Sequence, residues 1–172
     1  MVIRRGERKV MLNELHVGLK VIHATPMTRE RYNEYRGWEL PADEEGSDAG
    51  YLVEYADGGQ ANHANHAGYI SWSPTAVFNN AYKPQGKLGF PEALELVKRG
   101  SKVARAGWND IFIFLVPGSI FEVNRPPLLG IYPEGTTISY HSHIDMKTAQ
   151  GTVVPWLCSQ TDMLANDWGI VE

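Results

Sequence analysis

The chain has 172 residues, enough for one medium domain or two small ones. Its 43% hydrophobic and 21% charged content is that of a globular protein, and a formal net charge of -4 speaks against the broad basic face of a DNA- or RNA-polymer binder. No apolar run approaches the length of a membrane span, so no membrane association is expected. The single cysteine, Cys158, permits no internal disulfide and fits a reducing, cytoplasmic setting; lying between Leu157 and Ser159 with no base nearby, it reads as a packed thiol.

Residues 1–17 read as a leader, helical around Val10 to Leu15; the start is basic but lacks a small-residue cleavage site, so a signal peptide is not expected. Residues 18–83 read as a small α+β module. Lys20 to Ala24 is a short strand. Thr28 caps a helix with an apolar edge of Tyr32 and Tyr35, and Gly37 stops it. The acidic stretch from Trp38 to Ala49 is loop-like. Tyr51–Tyr55 and Tyr69–Trp72 form strands around a polar loop with His63 and His66, which reads as a solvated hairpin tip in preference to a metal site. Ser73-Pro74 reads as an N-cap followed by proline at the first helical position. Lys83 to Lys87 is the linker.

Residues 86–172 form a second unit, a helix packed on a mostly antiparallel sheet, which makes the whole chain α+β. Its clearest element is the helix opened by Pro91 and closed at Gly100, with Phe90, Ala93, Leu94 and Val97 on one face. A strand at 102–105 breaks at Gly107-Trp108-Asn109-Asp110. Ile111 to Val116 is a buried strand, and Phe121-Glu122-Val123 a brief one. The stretches 137–140 and 143–146 alternate like strands. Val153-Val154 ends the last expected strand at Pro155, which has no N–H to donate. Ser159 then caps a helix from Gln160 to Asn166, with Asp162 at its positive end and Met163 and Leu164 facing inward.

Two groups of residues carry possible chemistry. His141, His143 and Asp145 share one face of a strand and suggest the start of a metal site, but no further ligands follow, and a polar sheet face is the favoured reading. A metal-dependent hydrolase of a nucleotide signal, using those three residues, is the rival enzyme reading. No phosphate loop, nucleophile elbow or triad spacing is present. The other group gathers Arg105, Trp108 and Asn109 after one strand and Trp156, Ser159, Gln160 and Asp162 after another. If these strand ends meet, two indoles can bracket a purine while Arg105 attracts phosphate and the polar side chains meet base and ribose edges. That is a binding site with no catalytic residues, no metal and no cofactor.

The pieces Phe90-Pro91-Glu92-Ala93-Leu94, Val103-Ala104-Arg105, Gly107-Trp108-Asn109, Phe114 to Ser119, His143 to Lys147, and Val154-Pro155-Trp156 through Asp162 to Asp167-Trp168, in this order, resemble the phage-encoded Thoeris anti-defence sponges of the second type. The resemblance covers about residues 86–172. It implies a homo-oligomer, typically a tetramer, acting in the cytoplasm of an infected bacterial host. It further implies that the protein sequesters a glycocyclic ADP-ribose immune signal without cleaving it, so that it is not an enzyme. Some such sponges also hold cyclic oligonucleotides at a separate site, which blunts CBASS defence. By the same resemblance Trp108, Asn109 and Trp156 match pocket positions, with Ser159, Gln160 and Asp162 close behind. The sequence departs from the family pattern after Asn109, where Asp110-Ile111 replaces a longer glycine-containing turn. The stretches Tyr51 to Tyr55, Asp57-Gly58-Gly59 and Gly68 to Pro74 resemble a small module of phage proteins to which no function attaches. A third reading is a phage interaction module that takes no small ligand.

Overall fold

The structure is a computed structural model and describes residues 18–172; the expected leader lies outside these residues. The chain is α+β, with two main antiparallel sheets, each carrying its own core. Among the described residues, no helix is long and apolar enough to cross a membrane.

The first sheet contains β1 (Ile22–Pro26), β2 (Gly50–Tyr55) and β3 (Tyr69–Pro74), with β2 in the middle. Helix α1 (Arg29–Arg36) begins at Thr28, whose hydroxyl accepts from the Arg31 N–H, and ends at Gly37 in the left-handed conformation, as the sequence predicts. Tyr32 of α1 packs on Leu52 and Ile70 to form the core. At Gly50 a Cβ would lie 2.5 Å from the Ser73 carbonyl and the Trp72 ring, so only glycine lets β2 and β3 approach there. The expected cap at Ser73 is not formed: β3 runs through Pro74, which takes the N-cap position itself, and α2 (Thr75–Ala81) starts without a side-chain cap. The ladder to Gly50 extends to Pro74 and holds that backbone extended.

The loop between β2 and β3 is not the solvated tip expected from its polarity. Asn62 bonds both the N–H and the carbonyl of Ile70, at 2.8 and 2.9 Å, substituting for a strand partner. His66 lies between the Tyr35 hydroxyl, at 2.9 Å, and the Glu54 carboxylate, at 2.8 Å, while His63 stacks on Tyr35. Hydrogen bonding to His66 and to the Gly68 N–H holds the Glu54 carboxyl below the usual range. Polar residues that find partners fold inward, and composition alone does not reveal those partners.

After the linker, Leu88 exchanges two backbone hydrogen bonds with Trp168, so the beginning and end of the second unit are joined. Helix α3 (Phe90–Lys98) follows, with proline in its first turn and Ala93 and Val97 fully buried. It covers one face of a five-stranded sheet whose order is β10 (Trp168–Ile170), β4 (Val103–Arg105), β5 (Phe112–Val116), β8 (His143–Lys147) and β9 (Val153–Pro155). Strand β10 is absent from the sequence reading. On β5 the alternation places Ile113 in the core under α3, and Phe112 and Phe114 on the opposite face, where the two rings lie 5.9 Å apart. A separate two-stranded arm, β6 (Ser119–Glu122) with β7 (Thr137–Tyr140), is anchored by the buried Val123.

Two cores predict two separable losses. Ile70→Ala and Ile113→Ala should each cost about 2–5 kcal/mol. Hydrogen exchange read by mass spectrometry should show faster exchange in the three-stranded sheet for the first variant and in the five-stranded sheet for the second. Equal loosening of both sheets by either variant would show that they unfold as one unit.

Candidate functional site

The segment that follows β9 returns to the end of β4, because β10 pairs with β4 and brings Trp168 opposite Arg105. Trp168 is completely buried. Its Nε1 donates to the Asp162 carbonyl at 3.1 Å. The indoles of Trp108 and Trp156 both pack edge-on against it, with centroids 5.3 and 6.1 Å away. Trp156 also leans on Phe90, and its backbone N–H donates to the Ile144 carbonyl, so the β8 ladder fixes where the ring leaves the strand. Both indoles remain half-buried, each with one side in the core and the other at the surface. The importance of Trp168 was missed in the sequence, although the alternation of Trp168-Gly169-Ile170-Val171 is a weak strand signal.

Arg105 leaves β4 toward the same place and is engaged by two carboxylates. Its Nη1 donates to Asp162 Oδ1 at 3.0 Å, and its Nε and Nη2 donate to the two oxygens of Asp167 at 2.9 and 3.3 Å. A guanidinium fork held this way ties β4 to both ends of the 162–167 segment. Ser159 supplies the expected cap: its Oγ accepts from the Asp162 N–H at 3.1 Å and donates to Asp162 Oδ2 at 2.6 Å. Burial alone would raise the Asp162 carboxyl, but Ser159 and Arg105 outweigh it and hold it below the usual range; Arg105 does the same for Asp167.

The helix behind this cap is shorter than expected. α4 spans only Gln160–Met163, with Leu164 as its C-cap. Met163 and Leu164 do not face inward: Leu164 is 78% exposed and Met163 about half exposed. The large side chain that this end of the chain places in the core is Trp168. Asn109 and Gln160 are exposed, next in sequence to the indole of Trp108 and to Ser159 respectively. Asp110, at the departure from the family pattern, has φ 56°, a left-handed conformation that aspartate tolerates better than most residues with a Cβ. The backbone therefore still makes a turn of the kind glycine favours. Cys158 has its thiol pushed up by burial and by the nearby Asp162 carboxylate, which disfavours the reactive thiolate.

His141, His143 and Asp145 are not one strand face. His141 lies in the turn between β7 and β8, and its carbonyl, not its ring, meets His143 Nδ1 at 3.0 Å. His143 Nε2 is 3.6 Å from Asp145 Oδ1. Among the described residues, no three His, Cys, Asp or Glu side chains gather in a way that would hold a metal ion.

Fold and site together define a small helix-on-sheet domain with half-buried indoles packed around the buried Trp168 and hydrogen-bonding side chains beside them. Residues 88–171 match the family model described as the Thoeris anti-defense 2-like, or Tad2-like, domain. Thoeris anti-defense 2 of Bacillus phage SP01 is 38% identical over 88 residues, which is 50% of this chain and 97% of that relative. The chain belongs to the Thoeris anti-defense 2-like family, and half of it lies outside the match with that relative.

The Arg105 network predicts a specific response to pH. Asp162 and Asp167 are depressed in the folded state, so their contribution to stability is present above the unfolded value of about 4 and lost as pH falls through the folded values. Arg105→Met leaves the two carboxylates without their cation at neutral pH and should lower Tm there. The gap in Tm between it and the parent protein should narrow steadily from pH 7 to pH 3. A gap that stays constant with pH would mean that Arg105 contributes packing alone.

Proposed function

We propose that this protein counters host immunity by binding a cyclic ADP-ribose-type signal, of the glycocyclic class, and sequestering it uncleaved. The observation that carries this reading is the 38% identity to Thoeris anti-defense 2 over nearly the whole of that phage protein. The site chemistry supports it. Trp108 and Trp156 offer ring surface for a purine, and Asn109, Ser159 and Gln160 offer hydrogen bonds beside them. Arg105 and Asp162 serve this site as a frame, since each already satisfies the other. In this reading residues 86–172 take the signal, and residues 18–83 form a second module. The protein works as a homo-oligomer, with four chains expected, in the cytoplasm of the infected cell. Ile120 and Ile131, 75% and 71% exposed on and beside the β6–β7 arm, are suited to burial against a second copy.

Incubation with the cyclic signal followed by heat denaturation tests sequestration directly: the ligand recovered should be intact and active. Recovery of a hydrolysed product would replace this reading with an enzymatic one. Light scattering should give the mass of an oligomer at micromolar concentration, and a monomer mass would remove the assembly.

Two variants test the site. Trp156→Ala should weaken affinity roughly tenfold or more, since a base stacked on an aromatic ring is worth about 1–3 kcal/mol. Because Trp156 also touches Phe90 and Trp168, some loss of Tm accompanies it. Asn109→Ala, at an exposed position, should weaken binding with Tm unchanged. If both variants fold and bind as tightly as the parent, the signal does not sit on this cluster.

A further inference from the structure

Trp108 and Asn109 sit on the turn between β4 and β5. Backbone bonds hold its first half: the Ala106 N–H donates to the Asp167 carbonyl at 2.9 Å, and the Trp108 N–H to the Arg105 carbonyl at 3.1 Å. Among the described residues, Asn109 and Asp110 make no backbone-to-backbone hydrogen bond in this turn. Yet Asp110 takes φ 56°, and a residue with a Cβ stays in that region where neighbouring contacts fix it. The contact that fixes it comes from β8: Lys147 Nζ donates to the Asp110 carbonyl at 2.7 Å. Lys147 is half-buried and pairs in register with Phe112, two residues beyond Asp110. Its ammonium lies 5.8 Å from the Phe112 ring centroid, and the Lys102 ammonium lies 5.4 Å from the same centroid. Strand β8 holds the other indole segment as well, because the Ile144 carbonyl accepts from the Trp156 N–H at 2.9 Å.

We propose that Lys147 is a positioning residue of the indole site: by holding the Asp110 carbonyl, it sets where Trp108 presents its ring and Asn109 its amide. The proposal rests on the sequestration reading of that site. An ammonium has three donors and no acceptor, so it can serve the Asp110 carbonyl and still keep contact with water. A charged donor makes a stronger hydrogen bond than a neutral one, which suits a turn without a backbone bond at that point. Lys147 need not touch the signal. Both indole-bearing segments are referred to one strand, through a side chain at one end of β8 and a backbone carbonyl near the other. The spacing between Trp108 and Trp156 therefore follows β8.

Glycocyclic ADP-ribose titrated into the full chain by calorimetry, together with hydrogen exchange read by mass spectrometry without ligand, tests this. Lys147→Met keeps an unbranched stem beside Phe112 and removes the donor. It should bind roughly tenfold more weakly, the loss expected for one charged hydrogen bond. It should also speed exchange in the 107–111 turn and leave exchange at 159–164 unchanged. Lys147→Arg, which can still donate to a carbonyl, should restore most of the affinity. Lys102→Met removes an equal charge from the same ring and should bind within about twofold of the parent, since a charge that touches no ligand is screened. Lys147→Met combined with Asn109→Ala should lose less than the product of the two single losses, because both act through one turn. Equal weakening by Lys102→Met, single losses that multiply in full, or an unchanged turn in Lys147→Met would each overturn the positioning role. A parent protein that takes up no glycocyclic ADP-ribose would remove the sequestration reading, and exchange in the turn would still support or overturn Lys147 as its anchor.

Discussion

Trp168 is the residue on which the second half of the molecule depends. It is a large side chain with no exposed surface, and it lies where four segments converge: the start of the domain at Leu88, helix α3, strand β4 and the α4 turn. Burying an indole is favourable only if its N–H finds an acceptor, and the Asp162 carbonyl provides one. That bond fixes the level of the α4 turn. Ser159 and Arg105 then hold the Asp162 side chain from the other side. The surface indoles Trp108 and Trp156 inherit their positions from this arrangement, since each packs its inner edge on Trp168. A surface built this way is set by the core beneath it, and less of its precision depends on flexible loops.

The placement of charge follows the same logic. A carboxylate pair such as Asp162 and Asp167 next to one another is unfavourable until a cation separates them, and Arg105 is the cation that β4 delivers. An arginine expected to reach for a ligand's phosphate is instead committed to the protein's own carboxylates.

The two halves of the chain solve similar problems with different means. The three-stranded sheet is small, and it compensates with polar side chains that fasten loop to strand: Asn62 to Ile70, and His66 between Tyr35 and Glu54. The five-stranded sheet has a larger apolar core and can leave polar residues such as Asn109 and Gln160 free at the surface. Membership of the Thoeris anti-defense 2-like family rests on the second half, which is also where the surface indoles lie.

Much of this was legible in the sequence wherever the signal was local. Pro91 and Gly100 bound α3, Thr28 and Gly37 bound α1, a short apolar run marks β5, and period-two alternation marks β7 and β8, because caps and local patterns act over a few residues. The cap at Ser159 was also legible, and Trp108 and Trp156, grouped through resemblance to an ordered set of motifs, both pack on Trp168. What tertiary structure alone decided was where contacts span long stretches of chain. Three residues at 168–170 carry too little pattern to announce a strand, and they become one because β4, more than sixty positions earlier, offers an unpaired edge. Leu164 is apolar, yet it is 78% exposed, and the large side chain that this end of the chain buries is Trp168. His63 and His66 were assigned to solvent by type, yet they pack inward because Tyr35 and Glu54 satisfy them. The sequence determines which residues favour burial or hydrogen bonding, and only the assembled chain determines which of them find a partner and which are displaced to the surface.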